Sequence, residues 1–381
     1  MQSAPILAKP LADQIAAIIR RASGWIGFDD FMGQALYAPG LGYYAHASAK
    51  FGTMPQGVKG EGSDFVTAPE MTPLFGQTLA TQVAQALAET GTSEVWEFGA
   101  GSGALALHLL TELDRLGVAW QGYTIVDVSG SLRVRQQTLL ARFGAMVHWV
   151  DQLPLAMRGV IIGNEVLDAM PVKLIGRRAG TWFERGVGLG DVRAQSMDPQ
   201  FIWQDQLTNL RAPIDIEGPH DYLTEIHPQA EAFVRTLADQ LELGAVFFID
   251  YGFPEAEYYH PQRHMGTLMC HWAHRADANP LAEVGEKDIT AHVNFTGIAL
   301  AAQEAGFEVL GYCTQARFLM NCGLLNRLES ASFRDKAMAQ KLIAEHEMGE
   351  LFKVLGLSKP AAASTPWQAL GFANGDRTHT L

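Results

Sequence analysis

Glu94-Val95-Trp96-Glu97-Phe98-Gly99-Ala100-Gly101-Ser102-Gly103 is the stretch on which the fold turns. Its first five residues form an apolar run of strand length, and the glycines that follow end it abruptly. Residues 104–116 then carry apolar positions at helical spacing. The same order returns in 122–128, with a helix expected over 131–143 behind it. Residues 159–165 read as a third apolar strand and 245–251 as a fourth, the latter preceded by a helix over 228–243. Continuous apolar strands alternating with helices require cover on both faces, which predicts an α/β fold with a doubly wound, mostly parallel sheet.

Outward from this core the signals weaken. Leu11, Ile15, Ile18 and Ile19 predict a helix over 11–21. Residues 28–70 are rich in Gly, Tyr and Pro, with Pro39-Gly40-Leu41-Gly42-Tyr43-Tyr44 as a turn, and read as a functional lid or a flexible insert. A helix over 73–89 is ended by Gly91. Residues 172–203 alternate and are broken by Gly176, Gly180, Gly186, Gly188 and Gly190, the pattern of antiparallel hairpins. An irregular segment over 253–286, a helix over 295–305 and a late strand over 307–312 follow, and 324–357 read as a helical tail before a loosely held end. The expected organisation is an N-terminal helical and lid segment over 1–90, a core over 91–323 with a β-rich insertion over about 172–222, and a C-terminal helical extension over 324–381.

Composition bounds the partners. Among 381 residues, 28 Lys and Arg stand against 41 Asp and Glu, a net charge of −13, which argues against a nucleic-acid or anionic-membrane surface. Hydrophobic residues at 48% supply a core and rule out wholesale disorder. No apolar run is long enough to insert into a membrane, and the N-terminal Arg20 and Arg21 follow the apolar stretch rather than precede it, so no secretory signal is expected. Cys270, Cys313 and Cys322 have no metal-type spacing and read as thiols of a reducing compartment, hence a cytoplasmic protein. His260, His264, His271 and His274 cluster, but without paired cysteines or a spaced acid they read as solvated loop histidines, and no metal is expected.

The glycine stretch lies where open α/β sheets bind ligands, at the carboxyl end of the first strand and ahead of a helix N-terminus. Read as Gly99-x-Gly101-x-x-Ala104 it resembles a dinucleotide fingerprint; read as Glu97-x-Gly99-x-Gly101-x-Gly103 it resembles the first motif of S-adenosyl-L-methionine (SAM) methyltransferases. Asp127, ending the second strand, suits ribose hydroxyls in either reading. Glu97 favours the second, because a carboxylate there suits the cationic amino-acid end of a methyl donor and sits badly beside a pyrophosphate. Asp151, after the His148-Trp149-Val150 strand, is a candidate acceptor for an adenine amino group.

Seven motifs occur in order: Gly42-Tyr43-Tyr44, Asp64-Phe65-Val66-Thr67-Ala68-Pro69-Glu70, the Glu97–Gly103 motif, Asn164-Glu165-Val166-Leu167-Asp168-Ala169-Met170-Pro171, Asp250-Tyr251-Gly252, Gly266-Thr267-Leu268 and Asp288-Ile289-Thr290-Ala291-His292-Val293-Asn294-Phe295. Over residues 11–323 the chain thereby resembles the class I methyltransferase family whose mitochondrial member, a protein arginine methyltransferase, assists assembly of respiratory complex I. The resemblance implies a Rossmann-like fold, SAM as cofactor, and a protein substrate such as a respiratory-complex subunit; it leaves room for a homodimer. Taken with the reading of the residues themselves, this makes Thr67, Pro69, Glu70, Glu97, Gly99, Ala100, Gly101, Gly103, Asp127, Asp151 and Asn164 the expected donor-binding residues, Asp151 from its place in the topology alone, and Asn164, Glu165, Asp168 and His292 the expected catalytic ones. Two departures stand out: Gly266-Thr267-Leu268 runs into Met269-Cys270 where a polar residue is common, and Asn294 stands where Asp is commoner.

Methyl transfer from a sulfonium needs positioning and dehydration of the nucleophile more than acid–base chemistry. A guanidinium acceptor starts protonated, so carboxylates must hold its planar fork and a group must take the released proton. Asn164 would orient by hydrogen bonding while Glu165 and Asp168 engage the cation; alternatively Asp168 closes the turn before Met170-Pro171. Thr67 and Glu70 reach inward from a lid, or Asp64 and Thr67 form turns and Pro69 with Glu70 starts a helix. Asp288, Thr290 and His292 share one side of an extended segment and line a pocket, or Thr290 and Asn294 cap the next helix. A small-molecule methyltransferase and a SAM-binding assembly module without essential catalysis are the competing functions; a nicotinamide oxidoreductase is the third.

Overall fold

The structure, a computed structural model, describes residues 8–45, 67–127, 129–190, 198–272, 275–361 and 367–381. The apolar runs become strands β1 (Glu94–Phe98), β2 (Gly122–Val126), β3 (Val147–Val150), β4 (Met157–Asn164), β5 (Leu241–Phe253), β6 (Glu308–Thr314) and β7 (Phe352–Lys359). They form one sheet in the order β6-β7-β5-β4-β1-β2-β3. All pairings from β5 to β3 are parallel, and β7 runs antiparallel to both β5 and β6. The helices Pro73–Thr90, Ala104–Arg115, Gly130–Leu140, Phe295–Glu304 and Phe333–Ile343 are among those that accompany the strands. This is the α/β, mostly parallel architecture that continuous apolar strands require.

Register decides what the sheet presents. Phe98 pairs with Gly163 of β4 and Val126 of β2, and Val126 pairs with Val150 of β3. Gly99, Asp127, Asp151 and Asn164 therefore all leave the sheet at one edge. The direction in which successive strands are added reverses at β1, since β2 and β3 lie to one side and β4 to the other. That gap is the topological switch point, where open α/β sheets hold ligands.

The chain gathers into two compact units assembled from separate segments. One takes the described residues up to 45 with Asp168–Ala230 and Phe253–Asn294; the other takes those from 67 to Leu167 with Glu231–Gly252 and Phe295–Leu381. These units run across the linear boundaries at 90 and 323 expected from the sequence. In the first unit Thr181–Leu189 pairs antiparallel with Trp25–Gly27, Lys173–Arg178 and Phe201–Leu207, while Lys173–Arg178 also pairs with Tyr222–Ile226. The hairpins read from the glycine-broken stretch are thus present, with a strand recruited from the N-terminus. A three-stranded sheet of Met269–Trp272, Arg275–Asp277 and Asp288–Thr290 completes this unit.

Two segments differ from expectation. Phe28–Tyr37 is a helix, with Asp29 and Asp30 in its first turn and Phe28, Phe31, Met32, Ala35 and Leu36 buried. Its apolar spacing is helical, but the glycines, tyrosines and prolines around it mask the period; the turn at Pro39–Tyr44 begins only afterwards. The C-terminal extension is not all helical. Helices Leu324–Ser330 and Phe333–Ile343 give way to β7, which lies between β5 and β6. A run buried on both faces has no alternation to distinguish it from a helix, and glycine and lysine within it hide its strand character.

The chain's end is also firmly seated. Gly371 and Phe372 are buried, and a Cβ at Gly311 or Gly356 would fall 2.2 or 2.5 Å from the Phe372 ring, so glycine on β6 and β7 is what admits that ring. Phe372 also packs edge-on against Phe318, with ring centroids 5.4 Å apart. Phe372→Ala should lower unfolding free energy by about 3–5 kcal/mol in urea titration, the cost of emptying an aromatic site in a packed core. A loosely held tail would lose less than about 0.5 kcal/mol.

Candidate functional site

Gly99, Gly101 and Gly103 have φ of 64°, 52° and 87°. Three left-handed residues in five fold the chain back on itself between β1 and the helix Ala104–Arg115. This bares the unpaired amides of the helix N-terminus at the switch point. Gly103 caps the helix, and Ser102 Oγ accepts from the Ala104 amide at 3.2 Å. Ser102 also donates a short hydrogen bond to Glu70 Oε1. Thr67 precedes the short helix Ala68–Met71, in which Pro69 is buried. Of the segment expected to form a lid, Glu70 thus touches the glycine loop, and its amide donates to Thr67 O at 3.0 Å; Asp64, Phe65 and Val66 lie outside the described residues. A cavity of about 710 Å³ borders Glu70, Ser102 and Ala104 and runs past His108 to Arg135 and Asp335. It takes in neither Asp127 nor Asn164, so it flanks the loop rather than filling the switch point.

Asp127 sits at the end of β2 with one donor on each oxygen: the Ser129 amide on Oδ1 at 2.8 Å and Gln136 Nε2 on Oδ2 at 3.0 Å. Burial raises its pKa, and these two bonds oppose the shift. A carboxylate oxygen has two acceptor directions, so each keeps one for a further donor. That is the pattern a vicinal ribose diol requires. Asp151 is exposed beyond β3, one strand farther out.

Glu97 is placed otherwise than a charge for the donor's amine would be. It is 2% exposed and its Oε2 accepts from the Tyr123 hydroxyl at 2.7 Å. Burial pushes its pKa up to about 8, with the Tyr123 bond opposing and Asp127 adding to the rise. At neutral pH this carboxyl is therefore protonated, a polar strut between β1 and β2.

At the carboxyl end of β4, Glu165 is a non-glycine residue held at φ 52°. Such residues are uncommon and persist where surroundings enforce them. Here the Glu165 amide donates to Ile249 O at 2.9 Å, and Asp250 Oδ2 accepts from the amides of Val166 at 3.1 Å and Leu167 at 2.9 Å. Asn164 Nδ2 donates to Glu165 Oε1 at 3.0 Å, orienting its carboxylate. Sequence reading marked Asp250 as part of a motif without a role; its paired amides show one.

Asp168 and His292 belong to the other unit. Asp168 is 4% exposed and its carbonyl accepts from the Ala291 amide at 3.0 Å, which ties two of the motifs together. Tyr44 donates to Asp288 Oδ1 at 2.7 Å, and Tyr37 donates to Ala169 O at 2.9 Å. His292 is gripped through its backbone: its amide donates to Thr267 Oγ1 at 3.0 Å, and His227 Nε2 donates to its carbonyl at 2.9 Å. Its ring stacks on Phe253, with 5.3 Å between centroids and 4° between planes.

Behind these lies Glu225, 1% exposed, which accepts from the amides of Thr267 at 2.8 Å and Leu268 at 3.0 Å and from Tyr258 at 2.9 Å. Sequence reading passed over Glu225, His227 and Tyr258. Burial raises the Glu225 pKa against these bonds, and lowers that of His227 to about 4. Among the histidines read as solvated, His260 and His264 are exposed, His271 is half-buried on its strand, and His274 lies outside the described residues. No group of acids, cysteines and histidines among the described residues is placed to hold a metal ion.

Glycine loop, following-strand acid and helix N-terminus define a class: an α/β protein that holds an adenosine-bearing cofactor at its switch point. Residues 78–313, more than half of the chain, match the family described as S-adenosyl-L-methionine-dependent methyltransferase. The protein arginine methyltransferase NDUFAF7 homolog, mitochondrial, of Caenorhabditis elegans is 26% identical over 396 residues, covering 94% of this chain and 86% of that one. Protein arginine methyltransferase NDUFAF7, mitochondrial, of Mus musculus is 25% identical, covering 88% and 82%. A Burkholderia thailandensis protein crystallised with S-adenosyl-homocysteine (SAH) is 46% identical over the whole of both chains, with a TM-score of 0.91. The chain belongs to the SAM-dependent methyltransferase family and has its class I fold. SAM is its cofactor, and the Asp127 lone pairs and the glycine loop fit it.

Two outcomes test this site. Gly101→Val forces a β-branched residue into a left-handed position, and SAH affinity measured by calorimetry should fall about tenfold or more. Glu97→Gln removes a carboxyl whose folded pKa, about 8, lies above its usual 4.5. The unfolded chain ionises first as pH rises, so the wild type loses stability across that window and the variant does not. Melting temperatures of the unliganded proteins should agree near the lower limit, with the variant higher by several degrees near the upper.

Proposed function

We propose that this methyltransferase modifies arginine side chains of a protein substrate. The observation that carries the reading is Glu165, an acid pinned in a left-handed conformation at the switch point, with Asn164 on its carboxylate. The names of the two mitochondrial relatives point the same way. When bound, the donor supplies an electrophilic methyl group and leaves as a neutral thioether.

A guanidinium stays protonated at neutral pH, so its nitrogen is a poor nucleophile until its charge is drawn aside. Glu165 holds the planar fork through charge-assisted hydrogen bonds, and Asn164 keeps the Glu165 carboxylate in one orientation. The carboxylate draws positive charge to the nitrogens it binds and then takes the proton released as the new bond forms. Asp168 and His292 are retained as acceptor-side candidates, the first a buried acid and the second a ring fixed by Phe253. We place the reaction in the cytoplasm on the support of three free thiols. A respiratory-complex subunit as substrate, and a homodimer as the working form, belong to the same proposal.

Purified protein, a methyl-labelled donor and a lysate provide the test. Label should enter protein and, after hydrolysis, run as methylarginine. Glu165→Gln should reduce incorporation about a hundredfold, as loss of a transition-state charge partner does. Label confined to small metabolites would replace the protein substrate with a small molecule, and undiminished labelling by the variant would remove Glu165 from the reaction.

A further inference from the structure

We infer that Gln136 is a positioning residue for the methyl donor, its side-chain amide holding the glycine loop and the ribose-type acid in one fixed relation. Gln136 lies on the helix Gly130–Leu140 and is fully buried. Its Nε2 donates to Gly101 O at 2.9 Å and to Asp127 Oδ2 at 3.0 Å, and its Oε1 accepts from the Trp149 indole Nε1 at 2.9 Å. The amide has one admissible orientation. Reversed, its oxygen would face two acceptors and its nitrogen a donor. Trp149 on β3 therefore locks the amide, and the amide in turn aims the two groups we assign to the cofactor, the Gly101 carbonyl and the Asp127 carboxyl.

The approach is close. A Cβ at Gly103 would come within 3.3 Å of Gln136 Cγ, so the third glycine of the loop makes room for this residue as well as turning the chain. Asp127 gains from the arrangement in two ways. Its Oδ2 has a donor that opposes the effect of burial, and the lone pair left over is fixed in direction. The Gly101 carbonyl, on a residue at φ 52°, is held against peptide rotation by the Gln136 amide. Neither effect depends on what accepts the methyl group, so the inference rests on the donor alone and goes beyond the proposed acceptor.

The test uses the full chain with SAH as probe. Gln136→Met keeps the volume and removes both donors; SAH affinity by calorimetry should fall about tenfold. Gln136→Glu places a carboxylate against Asp127 and the Gly101 carbonyl. Its loss relative to wild type should be largest near about pH 8 and shrink toward about pH 5.5, because a protonated carboxyl regains one donor. A role confined to folding would lower the melting temperature and leave the variant-to-wild-type affinity ratio flat with pH. A flat ratio, or Gln136→Met binding SAH within about twofold of wild type, overturns the inference. Should Gln136→Met not fold, Trp149→Phe frees the amide from its third bond, and SAH affinity should fall about threefold; unchanged affinity overturns the inference. Wild type failing to bind SAH would instead indict the donor assignment.

Discussion

The Asp250 carboxylate, 1% exposed, accepts from the amides of Val166, Leu167 and Tyr251 at 3.1, 2.9 and 2.9 Å, and the candidate site depends on that grip. A turn that forces Glu165 to φ 52° costs about 1–2 kcal/mol and would relax if its amides were free to choose other partners. With both of the next two amides committed to one buried side chain, the turn is held in this conformation. The parallel pairing of Ile249 with Asn164 sets Asp250 beside the β4 terminus, so sheet register and site geometry are one constraint.

The buried acids of this chain divide by the donors that meet them rather than by count. Asp250 is satisfied by backbone amides, and Asp127 has one donor on each oxygen. Glu97, with the Tyr123 hydroxyl on it and little else to offset burial, holds its proton to about pH 8. The two acids therefore serve different ends: the one at the end of β2 keeps acceptor directions for a ligand, and the one on β1 braces the sheet. Net charge does not separate these roles; local hydrogen bonding does.

In the other unit, motifs far apart in the chain meet on a buried carboxylate. Glu225 fixes Thr267 and Leu268, Thr267 fixes the His292 amide, and His227 fixes the His292 carbonyl. Gly266 stands at φ 73° and a Cβ there would fall 2.4 Å from Glu225 Oε1, so the Gly-Thr-Leu motif is shaped around that acid. Such a network is stable because every donor aimed at Glu225 is used, which offsets the cost of burying it.

Local pattern alone determined the strands and helices around Gly99–Gly103, the positions of Asp127 and Asn164 at strand ends, and the antiparallel character of the glycine-broken hairpins. Each of these follows from apolar periodicity or from residues whose conformational preferences act within a few positions. Tertiary structure alone decided that Phe352–Lys359 is a strand between β5 and β6, that Glu97 points into a dry contact with Tyr123, and that Gln136 joins Gly101, Asp127 and Trp149. A glutamine on a helix, a glutamate on a strand and an apolar run with lysines carry no local mark of their partners. Those partners lie 9 to 35 residues away for Gln136 and Glu97 and more than 100 between β7 and β5, and only burial, which sheet order imposes, obliges such polar groups to find one another.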